Sequence, residues 1–295
     1  MELEDLRIFK AVVEAGGISH AAKQLHRVQS NVTTRIRQLE DKLGVSLFSR
    51  EGNRLQLLPA GQTLLNYAHR LLALADEACG ALHATGPRGT LRLGAMESTA
   101  AVRLPVPLSA YVRQYPDVKL VLKTGNPQYL AKAVLAGELD GALVTRPLAS
   151  GPLEACPVYS EELVIVSRAG QAFADPQNQG LPINLVAFEP GCPYRARFEA
   201  WLLERGNTPS QTIEITSYHA MLGCVAIGMG VSMVPRSVLS TFPDREQLHI
   251  HALPEGDAHM PIDLVWRRGA KSPNIQALIE VLVPEAPGAI VRTGY

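Results

Sequence analysis

The stretch from residue 17 to residue 43, GISHAAKQLHRVQSNVTTRIRQLEDKL, holds two amphipathic helical patterns separated by a turn of three residues. The apolar positions at helical spacing are Ile18, Ala21, Ala22 and Leu25 in the first pattern, and Val32, Ile36, Leu39 and Leu43 in the second. Two short helices joined by a tight turn are typical of a helix-turn-helix motif. The stretch therefore predicts a DNA-binding module.

The side of the second helix opposite its apolar stripe is polar and basic. At about 100° per residue, this side carries Ser30, Thr34 and Arg37, flanked by Asn31, Thr33 and Gln38. Short donors and acceptors beside a cation, on the first turns of a helix, can reach base edges in the DNA major groove. The alternative interpretation is the solvated face of an ordinary surface helix. The neighbouring segments favour DNA.

The segments on either side predict a winged helix-turn-helix. Upstream, apolar residues at helical spacing from Leu3 to Val13 predict a first helix, which Gly16 and Gly17 end. Downstream, VSLFSREGNRLQLL predicts a hairpin with residues 51–53 in its turn. Residues 18–58 hold seven cationic side chains against three acidic ones, on a chain whose net charge is zero. A basic module on a neutral chain suits contact with phosphates.

Three segments resemble, in order and spacing, the N-terminal half of LysR-type transcriptional regulators: LRIFKAVVEAGGISHAAKQL, VQSNVTTRIRQLEDKLGVSLFSR and LPAGQTLL. The chain departs from the family where Gly17, Val28 and Leu58 replace side chains that cap helices, and losing such a cap costs about 1 kcal/mol. The resemblance implies that the wing residue Arg54 lies near the minor groove. Together with Arg37 from the helical face, the residues expected at DNA are Gln29, Ser30, Asn31, Thr33, Thr34, Arg35 and Arg54.

The run from Pro59 to Leu82 predicts a long helix with a heptad seam. The seam residues are Leu64, Ala68, Leu71, Ala75, Ala78 and Leu82. The seam indicates pairing with a second copy, and the alternative is one helix packed on its own domain. The resemblance implies a homodimer through this helix, assembly into a homotetramer, and RNA polymerase as a candidate partner.

From Thr90 onward, short apolar strands alternate with helical patterns, which predicts two α/β lobes joined by two crossings, near Ser160 to Leu163 and near Leu264 to Arg267. The predicted fold is a winged helix-turn-helix domain of α+β class, a linker helix, and an α/β effector domain of two Rossmann-like lobes, as in periplasmic binding proteins. The expected ranges are 1–58, 59–87 and 88–295. Lobe I takes about 88–161 plus 266–295, and lobe II about 162–265.

Open α/β sheets bind ligands beyond the carboxyl ends of their strands, and the resemblance implies an inducer there. Because hydroxyls and free amides at helix starts favour anions, a carboxylate or sulfonate is the expected effector. The alternative for the hydroxyls is helix capping alone, and for the arginines surface ion pairing. The residues expected to hold the effector are Ser98, Thr99, Asn126, Arg146, Phe188, Arg195, Tyr218 and His219.

The sequence contains no motif that indicates an enzyme. It lacks HExxH, GxSxG, GxxxxGK[ST] and a strand-linked GxGxxG motif. His249 and His251 share a strand face without further obvious metal ligands, and the adjacent Glu161 and Glu162 point to opposite faces. No cofactor or metal is therefore expected.

The four cysteines include no CxxC pair, and reduced buried thiols are the expectation. Among them, Cys192 with Cys224 is the one plausible peroxide-sensing pair, which some members of the family have in the effector domain. The start MELEDLR is unlike a signal peptide, and no apolar run approaches a membrane span, so a cytoplasmic protein without a membrane partner is expected.

Taken together, the sequence predicts a regulator that binds double-stranded DNA and responds to a small molecule held between the C-terminal lobes. The runner-up is a receptor or carrier for a small molecule, without a transcriptional role, whose N-terminal module serves assembly.

Overall fold

The computed structural model describes residues 1–51, 54–83, 86–146, 151–170 and 183–283. The chain divides into two compact units. The first comprises Met1–Gly86 with Ala136–Glu138, and the second comprises Pro87–Leu135 with Leu139–Tyr295.

The first unit is a winged helix-turn-helix, which confirms the predicted fold. Its elements are α1 (Leu3–Glu14), α2 (Ile18–Gln24), α3 (Gln29–Leu43), the antiparallel strands β1 (Phe48–Glu51) and β2 (Arg54–Leu57), and α4 (Pro59–His83). Gly17 and Val28 occupy the N-cap positions of α2 and α3 without a side-chain cap. Helix α3 ends at Gly44, whose φ of 68° lies in the left-handed region that glycine adopts without strain.

One apolar core holds this unit together. Phe9 of α1, Ala21 of α2, and Val32 and Leu39 of α3 are fully buried in it. Burying a large apolar side chain contributes about 1.5–3 kcal/mol, so this core fixes which side of α3 faces outward. Leu43, the last residue of the predicted stripe, stays partly exposed.

Helix α4 differs from the predicted seam because its first half packs on its own unit. Ala68 is fully buried, Leu65 and Leu72 are nearly so, and Leu64 packs against the same core. These residues are therefore not available to a second copy. Among the described side chains of α4 between residues 64 and 78, the exposed apolar ones are Tyr67, Leu71, Leu74 and Ala78, which repeat at intervals of four, three and four.

The second unit contains two α/β lobes joined by one long strand. Lobe I is built on β3 (Gly89–Ala95), β4 (Val118–Thr124), β5 (Gly141–Thr145) and β11 (His259–Arg267), with α5 (Pro105–Gln114), α6 (Pro127–Ala136) and α10 (Pro273–Leu282). Lobe II is built on β7 (Ile183–Ala187), β8 (Pro209–Glu214), β9 (Ser232–Pro235) and β10 (Leu248–Ala252), with α7 (Pro193–Glu204), α8 (Tyr218–Ala226) and the short α9 (Glu255–Ala258). This confirms the predicted fold class.

The joining strand is β6 (Leu153–Arg168), which is 16 residues long. Its first part, up to Glu162, pairs with β11. From Leu163 to Arg168 it pairs with β9 and β10. Only this second part carries a continuous apolar run, so the sequence pattern does not show one strand that spans both lobes. One crossing between the lobes therefore lies near Glu162.

The second crossing differs from the prediction at Leu264 to Arg267. These residues lie inside β11, which pairs with β5 and with the first part of β6 in lobe I. The chain has already returned to lobe I at His259, directly after α9. The sequence could not place the crossing because the apolar pattern of β11 looks the same in either lobe.

Candidate DNA-binding surface and inter-lobe cavity

The outward side of α3 is the surface on which the sequence analysis expected DNA. Gln29, Ser30, Asn31, Thr34 and Arg37 are all exposed. The structure therefore brings the predicted short polar residues and one cation together on the first turns of one helix. No described residue forms an ion pair with Arg37.

Two of the predicted residues have partners within the unit. The Thr33 hydroxyl donates to the carbonyl oxygen of Gln29, one turn earlier in the same helix. The Arg35 guanidinium lies 3.2 Å from the carboxylate of Asp5 on α1. Arg35 therefore joins α1 to α3, and its charge is partly neutralised there.

Asp5 is a buried carboxylate that collects several donors. Its side chain is 2% exposed, accepts a hydrogen bond from the Glu2 amide at 3.0 Å, and lies 3.5 Å from the Lys42 ammonium. Burial alone would raise the pKa of Asp5, but the Glu2 amide and the charges of Lys42 and Arg35 together hold the pKa below its ordinary value. Asp5 thus stays ionised and fixes α3 against α1.

Glu40 is a residue that the sequence analysis missed. It lies on α3, and its Oε1 accepts hydrogen bonds from the backbone amides of Leu47 at 2.7 Å and Phe48 at 3.2 Å. These bonds attach the start of the wing to the helix that carries the polar surface. The pattern offered no signal, because the acceptor faces amides of a separate element.

The wing residue Arg54 begins β2, where it pairs with Glu51. Its side chain lies outside the described residues, as do residues 52 and 53 at the tip of the wing. Its predicted place near the minor groove stays a prediction.

A cavity of about 230 Å³ lies between the two lobes of the second unit. Lobe I contributes Met96 to Ser98, beyond β3, and Thr124 to Pro127, beyond β4. Lobe II contributes Phe188, Glu189, Cys192 to Tyr194, Thr216 and Tyr218, which follow β7 and β8. The cavity therefore sits at the carboxyl ends of four strands, where α/β folds hold their ligands.

Four of the eight residues expected to hold the effector line this cavity, namely Ser98, Asn126, Phe188 and Tyr218. Phe188 and Tyr218 meet edge to face with their ring centroids 4.8 Å apart. Ser98 is buried, and its hydroxyl lies 3.3 Å from the Tyr194 hydroxyl. The loops named from the sequence thus line the cavity, together with Glu97 and Tyr194, which were not among the eight residues, and their role in holding an effector stays a prediction.

The structure does not bring the three basic residues of the predicted site to the cavity lining. Arg146 forms a double hydrogen bond with the buried carboxylate of Asp263 on β11. Arg195 pairs with Glu199 and Glu214, both at 2.8 Å. His219 is exposed, and its ring contacts Phe242. Both arginines are paired with carboxylates that are remote in sequence or one turn away, which the pattern of strand ends could not show.

Thr99 also lies outside the cavity lining, and its side chain is fully buried. Its hydroxyl accepts a hydrogen bond from the Tyr159 hydroxyl at 2.9 Å. Burial raises the pKa of both Tyr159 and Tyr194 well above the ordinary value. These phenols therefore remain protonated donors at every physiological pH.

A buried carboxylate at the first crossing joins the two lobes. Glu161 on β6 is fully buried and accepts two hydrogen bonds from Arg103, at 3.0 and 3.1 Å. Arg103 ends the π-helical turn Thr99–Arg103 of lobe I. Glu161 also accepts from the Ser237 hydroxyl at 3.0 Å, in the 3-10 segment Arg236–Thr241 of lobe II. The adjacent Glu162 is half-buried and pairs with Arg236.

The histidine and cysteine side chains form no further site within the described ranges. His249 and His251 stack with ring centroids 4.5 Å apart, and no group of three or more potential metal ligands occurs among the described residues. Cys156, Cys192 and Cys224 are free thiols. Burial raises the pKa of Cys192, which favours its neutral form. No helix in the described part of the chain is long and apolar enough to cross a membrane.

Two family models match the chain. The model described as "Bacterial regulatory helix-turn-helix protein, lysR family" matches residues 3–62. The model described as "LysR substrate binding domain" matches residues 84–287. The first match covers most of the first unit, and the second match covers most of the second unit.

Similar curated proteins come from Bacillus. An uncharacterised HTH-type transcriptional regulator, YusT of Bacillus subtilis, is 38% identical over 269 residues, which is 91% of this chain and 90% of that protein. The HTH-type transcriptional regulator YofA of Bacillus velezensis is 40% identical over 268 residues, which is 90% of this chain and 92% of that protein.

Similar solved structures share the fold. A full-length OxyR variant from Pseudomonas aeruginosa superposes with a TM-score of 0.73 at 22% identity, over 96% of this chain and 94% of that one. Full-length CbnR in complex with its target DNA gives a TM-score of 0.67 at 24% identity, over 97% of this chain and 100% of that one.

Proposed function

Since the chain belongs to the LysR family of bacterial transcriptional regulators, we propose that a small molecule bound in its inter-lobe cavity controls how it acts on DNA. The chain is a DNA-binding transcriptional regulator and not an enzyme. The observation that carries the proposal is the cavity itself, which joins residues from the carboxyl ends of strands in both lobes. The receptor or carrier alternative does not account for the winged helix-turn-helix.

Control requires that the ligand prefer one arrangement of the lobes over another, because equal affinity for both shifts nothing. A ligand that touches residues beyond β3 and β4 on one side and Tyr218 on the other binds best when the lobes are close. The lobes meet at β6 near Glu162 and again before His259, so their separation can change by bending at two points.

Filling the cavity tests the proposal. Thr216 is an exposed residue at the lining, and Thr216→Trp places a bulky ring in the ligand's space. We expect the variant to bind duplex DNA with the parent affinity but to lose its response to the ligand. The measurement is fluorescence anisotropy on a duplex selected from random sequences, with and without the low-molecular-weight fraction of a cell extract.

Thr208→Trp is the matched control, since Thr208 is also exposed in lobe II but does not line the cavity. It should respond as the parent chain does. A Thr216→Trp variant that still responds fully, or a parent chain that responds to no extract fraction, would contradict the proposed control.

The proposed DNA contacts are those on the outward side of α3, with Arg54 on the wing. Five of these residues are exposed, and their small polar side chains suit base edges and phosphates. Arg37 is the cation best placed for this role, because Arg35 is already held by Asp5.

A homodimer through α4 is the proposed assembly on DNA, since a paired helix-turn-helix reads two half-sites. The surface that supports it is the exposed stripe Tyr67, Leu71, Leu74 and Ala78, whose spacing is that of a coiled-coil seam. A tetramer of two such dimers, and contact with RNA polymerase, stay predictions taken from the family resemblance.

A charge in this stripe should separate the dimer. Leu74 is 57% exposed, and Leu74→Glu would place two carboxylates in one apolar interface. We expect the dissociation constant to rise on the order of 100-fold, about 3 kcal/mol, because a charge is costly to bury unpaired. Sedimentation velocity over a range of concentrations measures it. Gln62→Glu adds the same charge outside the stripe, and equal sedimentation of both variants would exclude this interface.

A further inference from the structure

The cavity between the lobes is acidic. Glu97 and Glu189 are the ionisable acids in its lining, and none of the described residues that line it is a lysine, arginine or histidine. The nearby Arg195 carries two carboxylate partners of its own. A carboxylate or sulfonate ligand would therefore enter a space in which the side-chain charges repel it.

Glu97 has unmet hydrogen-bonding capacity. It lies on the segment just beyond β3, and its Oε2 is buried with no hydrogen-bond partner among the described residues. Burial raises the pKa of Glu97. Buried carboxylate oxygens in folded proteins nearly always receive a donor. None of the described residues supplies one to Oε2, which leaves that role to a ligand or water.

The helix starts at the cavity offer an anion little compensation. At the start of α6, the Tyr129 amide already donates to the Asn126 side chain at 2.8 Å. At the start of α7, the amides of Tyr194 and Arg195 face the Cys192 thiol. The N-cap residues of α7 and α8, Cys192 and Ser217, make no side-chain capping hydrogen bond. Two helix termini, each worth about 2- to 5-fold in affinity to an anion, do not outweigh two carboxylates in the same lining.

We propose that the cavity binds a small organic cation, an amine or amidine with an apolar body, and that Glu97 recognises its charged group. Phe188 and Tyr218 supply apolar and π surface for the body of the ligand or for its charge. The volume of about 230 Å³ corresponds to about eight water molecules in the liquid, so the ligand is smaller than a typical drug. That this binding regulates the protein rests on the proposed function, whereas the preference of the cavity for a cation does not.

Three probes of one shape and different charge test the inference. Benzylamine, benzyl alcohol and benzoate share a ring and differ in one group. We expect calorimetry on the full chain at pH 8 to give benzylamine an affinity about 10- to 100-fold above that of benzoate, as for a charge-assisted hydrogen bond. The alcohol should fall between them.

Glu97→Gln should remove this preference, because the amide keeps the shape of the side chain and loses its charge. Glu246→Gln, an exposed acid outside the cavity, is the control and should bind benzylamine as the parent chain does. In the parent chain, amine affinity should fall as the pH is lowered toward the raised pKa of Glu97, since protonation cancels the carboxylate charge. That dependence should vanish in Glu97→Gln.

The inference is overturned if no amine probe binds at about 10 mM, if benzoate binds more tightly than benzylamine, or if Glu97→Gln keeps the preference. None of these results touches the proposed function, because a cavity that binds anions would still control the regulator. Conversely, if Thr216→Trp keeps the response of DNA binding to the ligand, control by the ligand is excluded, whereas the inference of amine binding is unaffected.

Discussion

The Arg103→Met variant should have a free energy of unfolding about 3 to 5 kcal/mol below that of the parent chain. Glu161 is 0% exposed, and methionine at position 103 would leave its carboxylate with the Ser237 hydroxyl as the remaining side-chain donor. Methionine keeps most of the apolar stem, so the loss reports on the charge. For a unit of this size, the midpoint of thermal unfolding should fall by about 6 to 20 °C.

The adjacent ion pair provides the control. Arg236→Met breaks the ion pair between Arg236 and Glu162, whose side chains are 43% and 45% exposed. Its free energy of unfolding should fall by at most about 1 kcal/mol. A second variant, Arg103→Met with Glu161→Gln, removes the stranded charge and should recover part of the loss. If the two arginine variants unfold alike, Glu161 does not need Arg103, and the buried link between the lobes has no energetic importance.

The Arg37→Ala variant should lose about 1 to 3 kcal/mol of affinity per subunit for a selected operator duplex, about 5- to 150-fold in the dissociation constant. In a dimer both subunits carry the substitution, so the loss of binding free energy is counted twice. Arg37 is the right residue to change because it is exposed on α3, whereas Arg35 also holds α1 through Asp5 and its loss would disturb the fold. Anisotropy titrations at several salt concentrations provide the measurement.

The salt dependence identifies the kind of contact. Loss of a phosphate contact should weaken binding to all sequences. It should also make the slope of the logarithm of the binding constant against the logarithm of the salt concentration shallower by about 0.9 per contact. Loss of a base contact should weaken only the selected duplex. Arg113→Ala removes an exposed arginine from α5 in the second unit and should bind as the parent chain does. Parent-like affinity for Arg37→Ala at every salt concentration would exclude the outward side of α3 as the DNA surface.

Periodicity alone was enough for the helices, the hairpin and most strands, because apolar spacing directly reflects which face of an element is buried. Val32, Ile36 and Leu39 were predicted to face inward and are buried, so the polar side of α3 had to face out. The same signal predicted the loops that line the cavity, since strand ends that lead into helix starts are readable in the chain.

The α4 helix shows where periodicity is ambiguous. Its apolar residues cover more than one face, and the sequence does not say which face meets the unit's own core. The face that packs on the core carries Leu65, Ala68 and Leu72. The exposed face carries Tyr67, Leu71 and Leu74. The choice depends on how α4 packs against α1, a contact between residues far apart in the chain.

The sequence by itself determined that this chain has a winged helix-turn-helix followed by two α/β lobes, and which loops surround the cavity. Only the tertiary structure decided which charges remain available. Arg146 is held by Asp263 and Arg195 by Glu199 and Glu214, whereas Glu97 lines the cavity and one of its oxygens has no partner among the described residues. The physical reason is that burial follows a local repeat, whereas charge pairing depends on distances of a few ångströms between side chains that are usually remote in sequence.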